Sequence, residues 1–515
     1  MRFKYTMYNI LSEYLPKLVI PVLGLLQLRY LNSTYGVDYV GLRTMILDFI
    51  TFFYILYGGF GNTFAAQMYK ASNENDEEKL KKVVTATKYV FNIIGILVIL
   101  MTIGFMLVFP LFMKDTIFNT FTISSVLILL AMPNIAHTYV MPNSLFMLSK
   151  QKNYKIQYIR NIAHILSLVA FIVAAISKVD FIVAIAVYSV TKLSGEFITI
   201  YTARRLYPNI LKAKPNKEFI SKEVIHDAAN MFASTVSIVI FNGADSFILK
   251  AIKGIGTVGI YGNYKYVSTA IITLITPILE TTRGNLGNVF YTEDNEYASK
   301  FQKLLESLFL FVAVIVSFMV IVSLSSFIMW VKADTTIVST GVIVAYGMFL
   351  YLSVFFLLYK TQTEILGKFK ESRNTAIITT IINLTVTLTL VPSYGILGAL
   401  AGTIAGYIFD FVRRKQIVYK TLEVEGYYRS TISNLAILFI ISFVGYIFLS
   451  SSLYTTYFNF VSQSLVKWVI GTAAIGIVYS LGVFIAFMFN KDFRGFVIRV
   501  LNFFFGWITK KLKKN

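Results

Sequence analysis

Residues 35–42, YGVDYVGL, and residues 254–261, GIGTVGIY, decide how this chain is organised. Gly36, Val40, Gly41 and Leu42 of the first match Gly254, Val258, Gly259 and Ile260 of the second, and one constant offset relates every pair. Each octapeptide reads as a short turn between two long apolar stretches. A bilayer core of about 30 Å needs roughly 20 apolar residues per helix. That window predicts helices near 10–31, 42–68, 84–111, 120–148, 156–177, 181–202 and 228–249. It predicts seven more near 258–288, 303–330, 337–365, 374–391, 395–418, 431–450 and 467–489. Six spans separate the first from the seventh, so the halves that share the turn share an orientation. A parallel repeat about an axis along the membrane normal follows.

Composition agrees. Of 515 residues, 56% are hydrophobic and 14% charged, against roughly a quarter charged in a soluble chain. This excludes an ordinary water-soluble enzyme and a disordered chain. The predicted fold class is all-α, a polytopic membrane protein of about 14 transmembrane helices: two parallel six-helix bundles plus two extra C-terminal helices. The predicted divisions are 1–202 for the first bundle, 203–227 for a basic cytoplasmic linker and 228–420 for the second bundle. Residues 421–490 carry the two additional helices and 491–515 a basic amphipathic tail, its apolar stripe suited to the inner leaflet.

There are 47 Lys and Arg against 26 Asp and Glu. In a soluble domain that excess points to nucleic acid; in a membrane it marks the cytoplasmic side and contacts with anionic lipids. With an internal N-terminus, 33 of the basic residues fall in cytoplasmic loops and termini and 6 in external loops. An error of one span would scramble that alternation. A multi-pass protein of the bacterial cytoplasmic membrane, both termini inside and no nucleic-acid partner, is the expectation.

Several chemistries are closed off. There is no Cys, so disulfides, thiolate metal sites and Cys nucleophiles are impossible. The three His form no HExxH pair, so neither a zinc site nor any other metal or catalytic site is expected. No GxxxxGK[ST] run is present. Gly254, Gly256 and Gly259 spell GxGxxG, but a dinucleotide site needs that motif after a strand, and here it follows a membrane helix.

Residues 245–271, DSFILKAIKGIGTVGIYGNYKYVSTAI, resemble the seventh-helix region of Wzx-like polysaccharide flippases. These belong to the multidrug/oligosaccharidyl-lipid/polysaccharide exporter superfamily. Residues 20–36 (IPVLGLLQLRYLNSTYG), 56–64 (LYGGFGNTF) and 382–408 (INLTVTLTLVPSYGILGALAGTIAGYI) agree with it in collinear order. The resemblance implies a transporter, not an enzyme. Its cargo is an undecaprenyl-diphosphate-linked oligosaccharide, flipped outward by alternating access through a cationic central cavity for surface polysaccharide synthesis. It implies no cofactor; an ion gradient or membrane potential drives it, and a polysaccharide polymerase and assembly proteins are the possible partners.

A charge at mid-membrane costs about 2.5–3.5 kcal/mol on insertion scales, so such residues usually face a bundle interior or a wet cavity. Eight basic residues lie within or at the edges of spans: Lys17, Arg29, Arg43, Lys88, Arg160, Lys192, Lys265 and Arg283. A cationic lumen suits a diphosphate, which Arg meets through two parallel hydrogen bonds and Lys as a point charge. The predicted substrate-binding residues are Arg29, Lys265, Lys192, Arg283 and Arg160. Arg29 also fits a snorkelling residue at the outer interface. Arg283, three residues after Glu280, also fits an interfacial anchor. Lys192 and Glu196, four apart, also fit a self-neutralising pair. For coupling or charge pairing the candidates are Asp48, Glu196 and Asp245, the last able to hold Lys250 or Arg29. Gly58, Gly59 and Gly61 read as close-packing or bending positions.

Three other functions compete. A lipid II flippase has the same architecture. A cation-coupled multidrug exporter calls for a lumen rich in acids and aromatics, against the basic excess here. A non-transporting scaffold of a polysaccharide assembly complex has no use for buried charge at several depths.

Overall fold

The computed structural model describes residues 2–57, 60–74, 76–217, 220, 222–331, 338–495 and 497–498. Side chains are described for all of these except 2–14, 54, 62, 222–234, 278, 280–282, 284 and 285. The Gly58–Gly59 pair, the Glu280 side chain and the tail beyond 498 therefore lie outside the described residues. Among those described, the chain is helical with no strand. In order come α1 Arg2–Tyr35, α2 Val37–Thr51, α3 Phe53–Tyr57, α4 Phe60–Asn73, α5 Glu77–Phe112 and α6 Thr120–Ser149. Then follow α7 Tyr154–Ile176, α8 Phe181–Leu206, α9 Pro208–Leu211, α10 Lys222–Lys253, α11 Ile255–Thr292 and α12 Asn295–Trp330. The last are α13 Thr340–Ile365, α14 Phe369–Tyr394, α15 Ile396–Thr421, α16 Tyr427–Leu449, α17 Ser452–Val461 and α18 Leu465–Phe487.

Among the described residues, 12 helical segments are long and apolar enough to cross a membrane, which makes this a multi-pass membrane protein. Each coincides with one of the fourteen predicted spans. The other two predicted spans are α1 and α11, helices of 34 and 38 residues. At about 1.5 Å of rise per residue both are ample in length. Polar side chains dilute them: Lys17, Gln27, Arg29 and Asn32 on α1, and Asn263 and Lys265 on α11.

The chain packs as two compact units. The first is Met1–Ala270 with Val331–Ala333 and Val391–Gly395; the second is Ile271–Trp330, Asp334–Leu390 and Ile396–Asn515. The division falls inside α11.

Within the first unit, the two repeated turns have the same build. Gly36 ends α1 at φ 98° and Gly254 ends α10 at φ 87°, a left-handed conformation that costs glycine nothing. Each amide closes its helix, Gly36 N donating to Leu31 O at 3.2 Å and Gly254 N to Lys250 O at 3.0 Å. The helices that follow meet face to face. A methyl group added to Gly41 would stand 2.5 Å from Ile255 O and 3.1 Å from Gly259 N; one added to Gly259 would strike the Val37 carbonyl. Val37 and Ile255 are themselves related by the offset of the repeat, so the contact is reciprocal, as between two symmetry-related copies. One turn on, Gly262 lies against Thr44, again its own counterpart in the repeat. This packing also disposes of the GxGxxG string: the Gly259 face is filled by backbone, leaving no room for a pyrophosphate.

The second predicted span is a broken helix. Thr51 Oγ1 donates to the Asp48 carbonyl at 2.5 Å, and Phe52 N donates back to Phe49 O at 2.9 Å. A hydroxyl inserted into the i→i−4 ladder bends or stops a helix, and α2 ends there. Asp48 thus sits one turn before the break.

In the second unit, α12, α13, α15 and α16 share a buried polar hub on Glu306. Its carboxylate accepts from Lys415 Nζ, Ser430 Oγ and Asn434 Nδ2, each at 2.6 Å, from Tyr359 OH at 2.8 Å and from Tyr419 OH. Beside it Arg414 Nε donates to both oxygens of Asp410 at 2.8 and 2.9 Å, while Nη1 reaches Ser372 Oγ at 2.6 Å and Thr363 Oγ1 at 3.1 Å. α18 stands apart from this core, with only Gly471 buried along its length.

Candidate functional site

Two clusters of ionised side chains lie inside the first unit. The first is built on α2, α10 and α11. Lys265 Nζ donates to Asp48 Oδ1 at 2.8 Å, to Asp48 Oδ2 at 2.9 Å and to the Asn242 carbonyl at 2.9 Å. Ser246 Oγ donates to Asp48 Oδ2, and the ammonium lies 5.6 Å from the centre of the Tyr261 ring. Asp48 is buried and Lys265 partly exposed. Lys265 therefore enters the site already neutralised by Asp48.

The second cluster joins α6, α7 and α8. Glu196 pairs with His137 Nδ1 at 3.3 Å and with Arg160 Nε at 3.5 Å. Lys192, four residues before Glu196, does not close the same-helix pair that its spacing predicts. Its ammonium sits over the Tyr188 ring instead, 5.8 Å from the centre. Gly195 makes the crossing possible, because α7 comes so close that an added methyl would strike Ala163 Cβ.

Arg43 is the residue that sequence reasoning counted but did not select. It is 7% exposed, and Nη2 donates to Gln27 Oε1 at 3.0 Å. Its Nε and the Gln27 Nε2 are both buried without a hydrogen-bond partner. No carboxylate pairs with it among the described residues. A sequence signal existed: Tyr39, Val40, Ile46 and Leu47, its neighbours three and four places away, include no acid. Arg160 and Lys192 thus lie beside one carboxylate, Glu196, while Arg43 on α2 pairs with none among the described residues, and the surplus in the first unit is cationic.

The remaining candidates lie elsewhere. Arg29 is partly exposed on α1. Asp245 is buried and accepts from Tyr261 OH at 3.2 Å. Lys250 does not join it, because its ammonium donates to the Phe112 carbonyl and lies over that ring. Arg283 belongs to the second unit, where Nη2 meets Glu364 Oε2 at 3.0 Å. Lys88 ties down the segment after α9, donating to Leu211 O at 2.5 Å and Ala213 O at 3.0 Å. Arg414 and Lys415, near the end of the span predicted at 395–418, are buried ion-pair partners inside α15. Among the described residues no group of His, Asp and Glu could hold a metal ion.

Residues 6–282 match the family profile described as "Polysaccharide biosynthesis protein". The chain belongs to this polysaccharide biosynthesis family. Searched among curated proteins, the sequence has no match. Solved structures share its fold. One is "Lipid II flippase MurJ, inward closed conformation", with a TM-score of 0.68 and 15% identity over 94% of this chain and 99% of that one. Another is an inward-facing multidrug resistance MATE family transporter of the MOP superfamily, with a TM-score of 0.57, 14% identity and coverage of 80% and 100%. A Vibrio cholerae MATE transporter, VcmN, gives 0.56 and 13% over 82% and 98%. At such identities the likeness is one of fold. The polysaccharide biosynthesis family and the fold shared with these transporters agree with the resemblance carried by the four segments.

Proposed function

We propose that the protein flips an undecaprenyl-diphosphate-linked oligosaccharide repeat unit across the bacterial cytoplasmic membrane by alternating access. Both termini are cytoplasmic and an ion gradient or membrane potential is the drive. The observation that carries this reading is the cationic surplus of the first unit: Arg160 and Lys192 lie beside the single carboxylate of Glu196, and buried Arg43 pairs with no carboxylate among the described residues. Two phosphate charges offset that surplus, and the unbonded donors of Arg43 and Gln27 are suited to phosphate oxygens. A cationic drug finds like charge there instead, which argues against a multidrug exporter. Anionic lipids and the polymerase that consumes the flipped unit are the partners this cargo implies.

The test is transport by the purified protein in vesicles carrying a fluorescent undecaprenyl-diphosphate sugar, read as label accessible from outside. Wild type moves the label, while Arg43→Ala with Lys192→Ala moves it at least tenfold more slowly with unchanged folding. Equal rates in both proteins would overturn the site. A lipid II cargo is the second reading, favoured by the near-complete overlap with MurJ, whereas the MATE structures leave about a fifth of the chain unmatched. Rescue of a strain depleted of its lipid II flippase would favour it.

A further inference from the structure

The surroundings of Lys265 are those of a metal-ion site with an ammonium in place of the ion. An ammonium has three N–H donors, and all three acceptors of Lys265 Nζ are oxygens at 2.8–2.9 Å: both carboxylate oxygens of Asp48 and the backbone carbonyl of Asn242. Ser246 Oγ closes the group from α10 through its bond to Asp48 Oδ2. One carboxylate, one main-chain carbonyl and one hydroxyl form a hard oxygen set of single negative charge, the donor chemistry that hard cations take. The cage spans α2, α10 and α11, one turn before the break in α2. Gly243 of α10 lies against Asp48 O and Thr51 Oγ1 of α2 beside it.

We propose that Lys265 is a tethered cation occupying a built monovalent-cation site. Removing its side chain turns the Asp48–Asn242–Ser246 cage into a sodium site. The wild-type protein carries this charge covalently, so no mobile ion is exchanged at this position, and any ion that drives transport acts elsewhere. The inference rests on the cage geometry alone and stands whichever cargo is moved.

The experiment is thermal unfolding of the purified full-length protein in detergent, in sodium chloride and in choline chloride at equal ionic strength. Wild type unfolds at the same temperature in both salts. Lys265→Ala unfolds at least ~2 °C higher in sodium than in choline, since a ligand that binds only the folded state stabilises it. Asp48→Asn combined with Lys265→Ala shows no sodium effect, because the cage has lost its charge. A Lys265→Ala protein that folds only when sodium is present supports the proposal equally. The proposal is overturned if wild type responds to sodium as the variant does. It is also overturned if Lys265→Ala shows no sodium-specific shift, misfolds in both salts, or keeps its shift when Asp48 is replaced.

Discussion

Gly41 and Gly259 lie against each other's helix starts, Gly41 on the Ile255 carbonyl and Gly259 on that of Val37. Backbone cannot move aside as a flexible side chain can. Gly41→Val and Gly259→Val are therefore expected to abolish the monodisperse peak in size-exclusion chromatography. Gly36→Ala meets open space and pays only for its positive φ, about 1–2 kcal/mol. It should keep the peak and unfold a few degrees lower. Equal damage from all three would show that the reciprocal contact is unimportant.

Glu306 and Lys415 are buried and paired at 2.6 Å. Removing one partner strands a buried charge, at a cost of about 3–5 kcal/mol, whereas replacing both by apolar groups is often neutral. Glu306→Met should thus unfold at a markedly lower temperature than wild type, and Glu306→Met with Lys415→Met should regain part of the loss. The rest remains because Tyr359, Tyr419, Ser430 and Asn434 have lost their acceptor. Additive losses in the double variant would contradict this account.

Lys88 holds the Leu211 and Ala213 carbonyls, and Asn216 N donates to Thr85 O at 3.1 Å. The basic segment after α8 is therefore tied to α5. Lys88→Met should speed tryptic cleavage at Lys212 and Lys217 several-fold, read as appearance of two fragments by electrophoresis. An unchanged digestion rate would mean the anchor is redundant.

Arg160 Nε lies 3.5 Å from Glu196 without a hydrogen bond, a buried donor that lysine lacks. Arg160→Lys keeps the charge but not the fork, so a diphosphate cargo should be moved about tenfold more slowly while the protein folds normally. Lys192, a point charge over Tyr188, should tolerate Lys192→Arg with less than a twofold loss. The reverse ranking would exchange the two roles.

Much of the fold was legible because turns and spans are local. Gly36 and Gly254 announced their left-handed turns through one repeated spacing, and all twelve apolar segments fall on predicted spans. The site was less so. Glu306 and Lys415 are 109 residues apart and Asp48 and Lys265 are 217 apart, and hydropathy cannot say which distant helices will touch. Arg414 and Lys415 fall at the charged end of a predicted span, where the sequence does not distinguish solvated from buried side chains. Their burial appears only when α12, α13 and α16 close over them. Lys192 misled in the opposite way: its i, i+4 spacing to Glu196 is ideal, yet α6 and α7 present His137 and Arg160 to that carboxylate first.

Phe493, just past α18, is 3% exposed and packs its ring 5.0 Å from Phe311, 5.3 Å from Phe487 and 5.8 Å from Phe484. The outermost helix, which buries little of its own surface, is thus stitched to α12 by an aromatic clasp at its exit. For anyone attaching a fluorescent reporter or trimming the chain for crystals, a cut before 493 removes this exit contact and leaves α18 held to α12 by Trp468 against Phe327 and Tyr479 stacked on Phe318.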